Sequence, residues 1–179
     1  VLISMLDNFV IKGTQFSPLH RAVAADRDQC LLLYLSPFNE ILVNLRDHTM
    51  RTLRHIAAFQ TASACFQVLL NEGASINLKD KHGRTPLMMA SYSGNLRIVG
   101  EIFENDLFFS YLSKTEPSFF FLSETLIERK SDLDLTDSNG DTALHLACKK
   151  GHEAIASYIL KSIPDKSICI SHQNKQGQR

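Results

Sequence analysis

The sequence predicts an all-α solenoid of stacked helix–turn–helix repeats joined by hairpin-like β-turn loops, and three observations carry that prediction. Two stretches nearly repeat each other, Arg84-Thr-Pro-Leu-Met-Met-Ala90 and Asp141-Thr-Ala-Leu-His-Leu-Ala147. Each follows an Asp-x-x-Gly turn (Asp80 to Gly83, Asp137 to Gly140) and leads to a glycine four residues past the alanine, Gly94 or Gly151. Further copies open at Ser17-Pro-Leu-His-Arg-Ala22 and, more faintly, at Thr52-Leu-Arg-His-Ile-Ala57, and Thr52 stands 33 residues before Thr85. A period near that length marks a stacked array rather than one globular core, because one such unit cannot bury its apolar faces alone.

The clearest unit runs from Asp80 to Phe103. Asp80 and Gly83 suit the first and last positions of a tight turn. Thr85 caps a helix with its hydroxyl, and Pro86 takes the first helical position, where its missing N–H costs nothing. Leu87 and Ala90 share one face, and the small Ala90 lets a neighbouring helix approach. Gly94 supplies the left-handed stop. A second helix then carries Leu96, Ile98, Val99, Ile102 and Phe103 on a broad apolar face.

Laid along the chain, this frame gives the tail of a preceding repeat at 1–11 and a repeat at 12–46. A degenerate repeat at 47–79 and one at 80–136 follow, then a repeat at 137–171 and the start of another at 172–179. In the last full repeat Thr142 is the cap, Leu144, His145 and Ala147 follow in phase, and Gly151 with His152 makes the reversal. Both ends read as cut from a longer array, since the chain starts at Val1 and stops just after the turn-like Asn174-Lys-Gln-Gly177.

The degenerate repeat breaks its own rules. Met50 replaces the turn glycine, Leu53 replaces proline, and Arg54 stands where a buried leucine belongs. An arginine is hardly ever fully buried without a partner, so this repeat is expected to be the loosest. The loop near Ser36-Pro-Phe-Asn39 carries two extra residues.

Thr85 and Thr142 are 57 residues apart, a surplus over the 33-residue period that falls near 104–127. Leu126-Ile127 fit the slots of Ile102-Phe103, so both flanks stay in frame. The surplus is rich in phenylalanine, and three readings fit it: an apolar insertion folded back as extra helix, a partner-binding aromatic element, or a retained intron.

Composition excludes several classes. Lys+Arg and Asp+Glu are equal at 19 each, which argues against a nucleic-acid or anionic-membrane surface and leaves protein partners open. Cys30, Cys65, Cys148 and Cys169 have no paired or metal-like spacing. Cys30 and Cys65 share a repeat position on the apolar face of a helix and are expected to be buried free thiols in a reducing compartment. With no signal peptide and no apolar run long enough to span a bilayer, the chain is read as cytoplasmic or nuclear.

No chemistry is expected. His20, His55 and His145 share one repeat position, where an imidazole bridges backbone groups between repeats. His48 and His82 lie on turn tips. No nucleotide-binding, hydrolase or metalloprotease string occurs. Asp132 and Asp134 occupy a structural position rather than forming a catalytic dyad, and Lys149-Lys150 reads as a solvated helix end. The chain is therefore expected to be no enzyme, with no catalytic residue, cofactor or metal.

The quoted motifs resemble the ankyrin repeat, with its Thr-Pro-Leu-His-x-Ala signature, its Gly-His reversal, and an ending like Leu69-Leu70 with Gly73-Ala-Ser-Ile-Asn77. The order of the imperfect copies (Phe16 to His20, then Thr85 to Ala90, then Thr142 to Glu153) resembles the C-terminal repeats of the ankyrin regulatory subunits of serine/threonine protein phosphatase 6. The likeness covers most of 13–172 and excludes 104–127. It implies a monomeric protein-binding scaffold that assembles that phosphatase or presents substrates to it. Its partners would be proteins, phosphatase 6 catalytic or regulatory subunits among them, with no nucleic acid and no membrane insertion. The rival readings are an unrelated ankyrin adaptor, such as a membrane–cytoskeleton linker, and an accessory ankyrin module of a larger enzyme.

The resemblance also implies where a partner sits, on the turn tips and the open side of the first helices. Those positions are His48, Thr49, Arg51, Phe59 and Gln60; then Lys81, His82, Arg84, Tyr92 and Ser93; then Ser138, Asn139, Asp141, Lys149 and Lys150. Tyr92 between basic tips is the expected anchor, with Arg51 and Arg84 facing outward, since interface energy concentrates on Tyr and Arg.

Overall fold

The structure, a computed structural model, describes residues 17–35, 42–103, 132–162 and 173–177. The expected repeat tail at 1–11, the Ser36–Asn39 loop, the surplus at 104–127 and Cys169 lie outside these residues.

Each described repeat places a capping residue, a short helix, a reversal and a second helix in that order. The first helices are α1 (Pro18–Ala24), α3 (Leu53–Gln60), α5 (Pro86–Ser93) and α7 (Ala143–Lys150). The second helices are α2 (Asp28–Leu35), α4 (Ser63–Asn71), α6 (Leu96–Phe103) and α8 (Glu153–Ser162). First helices pack against first helices along the stack, and second against second, so the chain forms two helical layers. Among the described residues there is no strand, only an isolated antiparallel bridge between Arg46 and Thr52.

Local chemistry explains the boundaries. Ser17, Thr85 and Thr142 each accept the amide of the residue three positions on, and Pro18 and Pro86 open their helices. Gly94 ends α5 at φ +83° and Gly151 ends α7 at φ +75°, where a side chain would be strained. The second repeat manages the same reversal with Thr61 at φ +60°.

The core lies between the layers. Leu19, Leu53 and Leu87 from the first helices meet Leu31, Phe66, Leu69, Ile98 and Ile155 from the second, all buried. Ala57, Ala90 and Ala147 are fully buried where first helices abut, which is why a small residue recurs there.

Two sets of bonds tie repeat to repeat. At the tips, the carbonyls of Thr49, His82 and Asn139 accept the amides of Lys81, Ser138 and Lys175 at 3.0, 2.8 and 3.0 Å. At the ends of the second helices, the Asn44 and Asn77 carboxamides accept the amides of Ser75 and Asp132 at 2.9 and 3.2 Å. The step from the 80s to the 130s therefore uses the same bonds as the ordinary step before it, despite the longer connection. Deleting residues 104–127 is accordingly expected to leave helical circular dichroism and a single cooperative melt intact. Loss of cooperativity would mean that the stack needs the deleted segment.

Two expectations require correction. Arg54 is buried to 2% exposure, and its guanidinium has partners there. Its Nη2 donates to the Leu69 carbonyl at 3.0 Å, and its guanidinium lies 5.8 Å from the centre of the Phe66 ring. In the turn of that repeat Met50, which replaces the turn glycine, holds φ +60° at the position of Gly83 (φ +75°) and Gly140 (φ +79°). Met50→Gly is expected to stabilise the array by about 1 kcal/mol, the relief of left-handed strain exceeding the added unfolded-state entropy. A shift in the urea midpoint reads this directly, and an unchanged or lower midpoint would show that the turn stores no strain. Finally, only Cys65 of the three described cysteines is buried, while Cys30 and Cys148 are exposed. Burial, with Asp26 nearby, pushes the Cys65 thiol up to about 12, so it remains an inert thiol.

Candidate protein interface

The turn tips are built around buried aspartates. Asp80 Oδ1 accepts the His82 and Arg84 amides at 2.8 and 2.9 Å, and Oδ2 accepts Arg84 Nε and Nη2 at 2.9 and 2.7 Å. Asp47 does the same with the Thr49 amide and hydroxyl and with the Arg51 amide and Nε, at 2.7 to 2.9 Å. Burial alone would raise both carboxyls. Donation from Thr49 and Arg51, and from Arg84 and His82, outweighs it and holds both below the ordinary carboxylate value.

This geometry corrects part of the expected surface. Arg51 and Arg84 do not face outward freely: each turns back onto its own tip aspartate in an i,i+4 ion pair at 2.8 and 2.7 Å, leaving side chains 23% and 31% exposed. Asp141 occupies the arginine position of the third tip but is only 1% exposed. It accepts Asn174 Nδ2 at 2.7 Å, with Lys149 Nζ at 3.8 Å, and so belongs to the stack rather than to an open face. Ser93 is half-buried and its hydroxyl reaches the Ala58 and Ala90 carbonyls. Thr49 is likewise half-buried. His48, Phe59, Gln60, Lys81, His82, Tyr92, Ser138, Asn139, Lys149 and Lys150 are exposed.

Among the histidines inside the first helices, His55 bridges two repeats. His55 Nδ1 accepts the Thr52 amide at 3.1 Å, so Nε2 carries the proton and donates to the Arg84 carbonyl of the next repeat at 2.8 Å. His145 Nδ1 meets the Thr142 hydroxyl at 2.8 Å, and His20 Nδ1 meets the Ser17 hydroxyl at 2.7 Å. His152 Nε2 lies 3.2 Å from the Tyr92 carbonyl, its ring against Gly94.

Burial lowers both His20 and His55, outweighing the nearby Asp47 and Asp80 charges. The folded state thus resists protonating two groups that the unfolded chain protonates near pH 6.5. Their contribution is present above that pH and is lost as pH falls through it toward the folded values. The melting temperature is expected to drop between pH 7.5 and 5.5, and His20→Asn with His55→Asn should flatten the slope.

Besides the tips, a line of exposed side chains runs across successive first helices. Phe59 on α3 stacks with Tyr92 on α5, ring centres 6.5 Å apart and 25° between planes. On the other side of Tyr92, Lys150 Nζ from α7 sits 4.2 Å from the ring centre. Beside Phe59, a groove of about 220 Å³ opens between α1 and α3, lined by Arg21, Ala24, Ile56 and Phe59 among others. Sequence reasoning passed over Arg21 and Ala24. The signal was present, since Ala24 lies seven residues past Ser17, as Phe59, Tyr92 and Lys149 do past their own caps. Among the described residues no cluster of His, Cys, Asp or Glu could hold a metal, and no helix is long and apolar enough to cross a membrane.

The family model for ankyrin repeats, in three copies, matches residues 19–110 and 119–178. Inversin of Gallus gallus is 31% identical over 169 residues, covering 94% of this chain and 13% of that protein. Ankyrin repeat domain-containing protein 63 of Mus musculus is 25% identical over 111 residues, 62% of this chain and 22% of that protein. Rabankyrin-5 of Homo sapiens is 23% identical over 176 residues, 85% of this chain and 15% of that protein. The chain thus spans less than a quarter of the length of each of these relatives.

Proposed function

The chain belongs to the ankyrin-repeat family, and from that premise we propose that it is a protein–protein interaction scaffold whose partner lies across the turn tips and the first helices. The observation that supports this most is the Phe59–Tyr92–Lys150 line, two exposed aromatics and a lysine aligned over three repeats. The rings of Phe59 and Tyr92 stay exposed, whereas the tip aspartates, Ser93 and His55 are committed to the stack. Ankyrin arrays are typically interaction modules, so catalysis is assigned to other chains.

The finer proposal is that the scaffold is a regulatory subunit of serine/threonine protein phosphatase 6, cytoplasmic or nuclear, acting in holoenzyme assembly or substrate recognition. Its support is the order of the imperfect repeats. The relatives differ widely in name and share the repeats.

A photo-crosslinking residue in place of Tyr92, and separately in place of Leu33 on α2 (77% exposed), tests both levels in the full-length protein in cells. Crosslinks from position 92 to phosphatase 6 subunits are the expected result. Crosslinks from 92 to other proteins alone would keep the scaffold and remove the phosphatase. Crosslinks from 33 alone would place the partner on the second-helix layer and overturn the reading.

A further inference from the structure

We infer that the face of tips and first helices selects an acidic protein segment carrying one large apolar side chain, which enters the groove beside Phe59; this rests on the reading of that face as the interface. Formal charge over the whole chain is zero, but among the described residues it is sorted between the two sides of the stack. Every carboxylate of the tip side, namely Asp47, Asp80, Asp137 and Asp141, is buried. Their oxygens are taken by tip amides, by Arg51 and Arg84, and by Asn174. The cations of the same side are exposed: Arg21, Arg46, Lys81, Lys149, Lys150 and Lys175, with Lys149 Nζ 3.8 Å from Asp141 and Lys175 Nζ donating to the Ser138 carbonyl, and His48 and His82 sit beside them on the tips.

The second-helix side is mixed instead. Asp26, Asp132, Asp134 and Glu153 are exposed there, against the exposed Arg27, Lys79, Arg97 and Lys161. A balanced composition thus conceals a face that, among the described residues, exposes cations and no carboxylate, and such a face attracts and orients an anionic partner.

The apolar part narrows the partner further. A volume of about 220 Å³ is below the usual range for small-molecule pockets, roughly 300–1,000 Å³, and suits a single side chain. Ala24, Ile56 and Phe59 line it with carbon, with Arg21 beside them. Packed helices stand about 8–10 Å apart, so three steps from α1 to α7 span about 24–30 Å. An extended segment of about eight residues covers that distance. Its apolar residue sits at one end, and its carboxylates pass Tyr92 toward Lys149 and Lys150.

The test is a display library of random 12-residue peptides panned on the 179-residue chain, with enriched peptides remeasured by fluorescence anisotropy. The expected peptides are net negative with one Leu, Ile, Phe or Tyr, and their affinity falls at least about tenfold between 50 and 300 mM NaCl. Arg21→Glu with Lys150→Glu, at unchanged melting temperature, should weaken them by more than about tenfold. If that pair perturbs folding, Arg21→Gln with Lys150→Gln gives a smaller loss in the same direction. Neutral or basic peptides that still depend on Phe59 and Tyr92 would overturn the acidic partner and leave the face as the interface. Acidic peptides binding equally well to Phe59→Ala with Tyr92→Ala would overturn the face itself. Preferential binding of a DNA duplex or of phosphatidylserine vesicles over the acidic peptides would also overturn the inference.

Discussion

Replacing Phe66 with alanine is expected to lower the stability of the array by about 3–5 kcal/mol, the usual cost of deleting a buried aromatic ring. Phe66 is a fully buried side chain of α4, the second helix of a repeat with neighbours on both sides. Its ring also lies under the buried Arg54 guanidinium. Truncation therefore removes apolar burial, leaves a cavity, and uncovers a cation that has few ways to reach water. Set against a total stability of about 5–15 kcal/mol, this is a large fraction. Repeats communicate only through their neighbours, so the damage should also divide the stack, with α1–α2 on one side and α5–α8 on the other. Urea unfolding followed by circular dichroism should change from one steep transition to a broad or two-step one. Phe66→Leu, which keeps most of the volume, should cost no more than about 1.5 kcal/mol and retain the single transition. A loss below about 1 kcal/mol in Phe66→Ala, with cooperativity unchanged, would show that the second repeat does not connect the two halves.

The architecture was legible because each repeat writes its instructions locally. A cap hydroxyl at Thr85, a proline at the next position and a glycine at 94 are statements about backbone geometry that depend little on distant residues. Their recurrence at one period adds the stacking. Arg54 was misjudged for a different reason. Its burial depends on the Leu69 carbonyl and the Phe66 ring, in the facing helix of its own repeat, and nothing in the local pattern shows that a guanidinium can be housed there. The exposure of Cys30, one repeat before the buried Cys65 at the same phase, is likewise set by what packs against the helix rather than by phase.

The proposed face was legible only in outline. Position in the repeat marked Phe59, Tyr92 and Lys150, yet position could not tell an open side chain from one drawn back into the tip. Arg51 and Arg84 look like surface cations in sequence, and the structure folds them onto Asp47 and Asp80. The Asp-x-x-x-Arg spacing could have shown this, since both pairs repeat it and the third tip breaks it with Asp141. Charge sorting was hidden for a simpler reason: totals of 19 and 19 say nothing about which charges are buried.

Those aspartates lead to the second large effect, Asp80→Ala, expected to cost about 2–4 kcal/mol. Asp80 is 6% exposed and accepts four hydrogen bonds, two from amides and two from the Arg84 guanidinium. Bonds to a charged acceptor are each worth about 1.5–3 kcal/mol when a buried partner is left unpaired, but Arg84 is 31% exposed and water recovers part of the loss. The damage should reach both neighbours, because the same turn offers the His82 carbonyl to Ser138 and the Arg84 carbonyl to His55. Amide exchange at Ser138 should therefore accelerate although that residue does not touch Asp80 directly. The variant should differ in acid as well. The Asp80 carboxyl sits below its ordinary value in the folded chain, so its stabilisation is present above about pH 4 and is lost as pH falls through the folded value. Asp80→Asn keeps the shape and one acceptor oxygen, and should show an intermediate loss at pH 7 with a shallower decline below pH 4. An Asp80→Asn chain as stable as the parent at pH 7, declining equally in acid, would mean that the tip is held by its backbone alone.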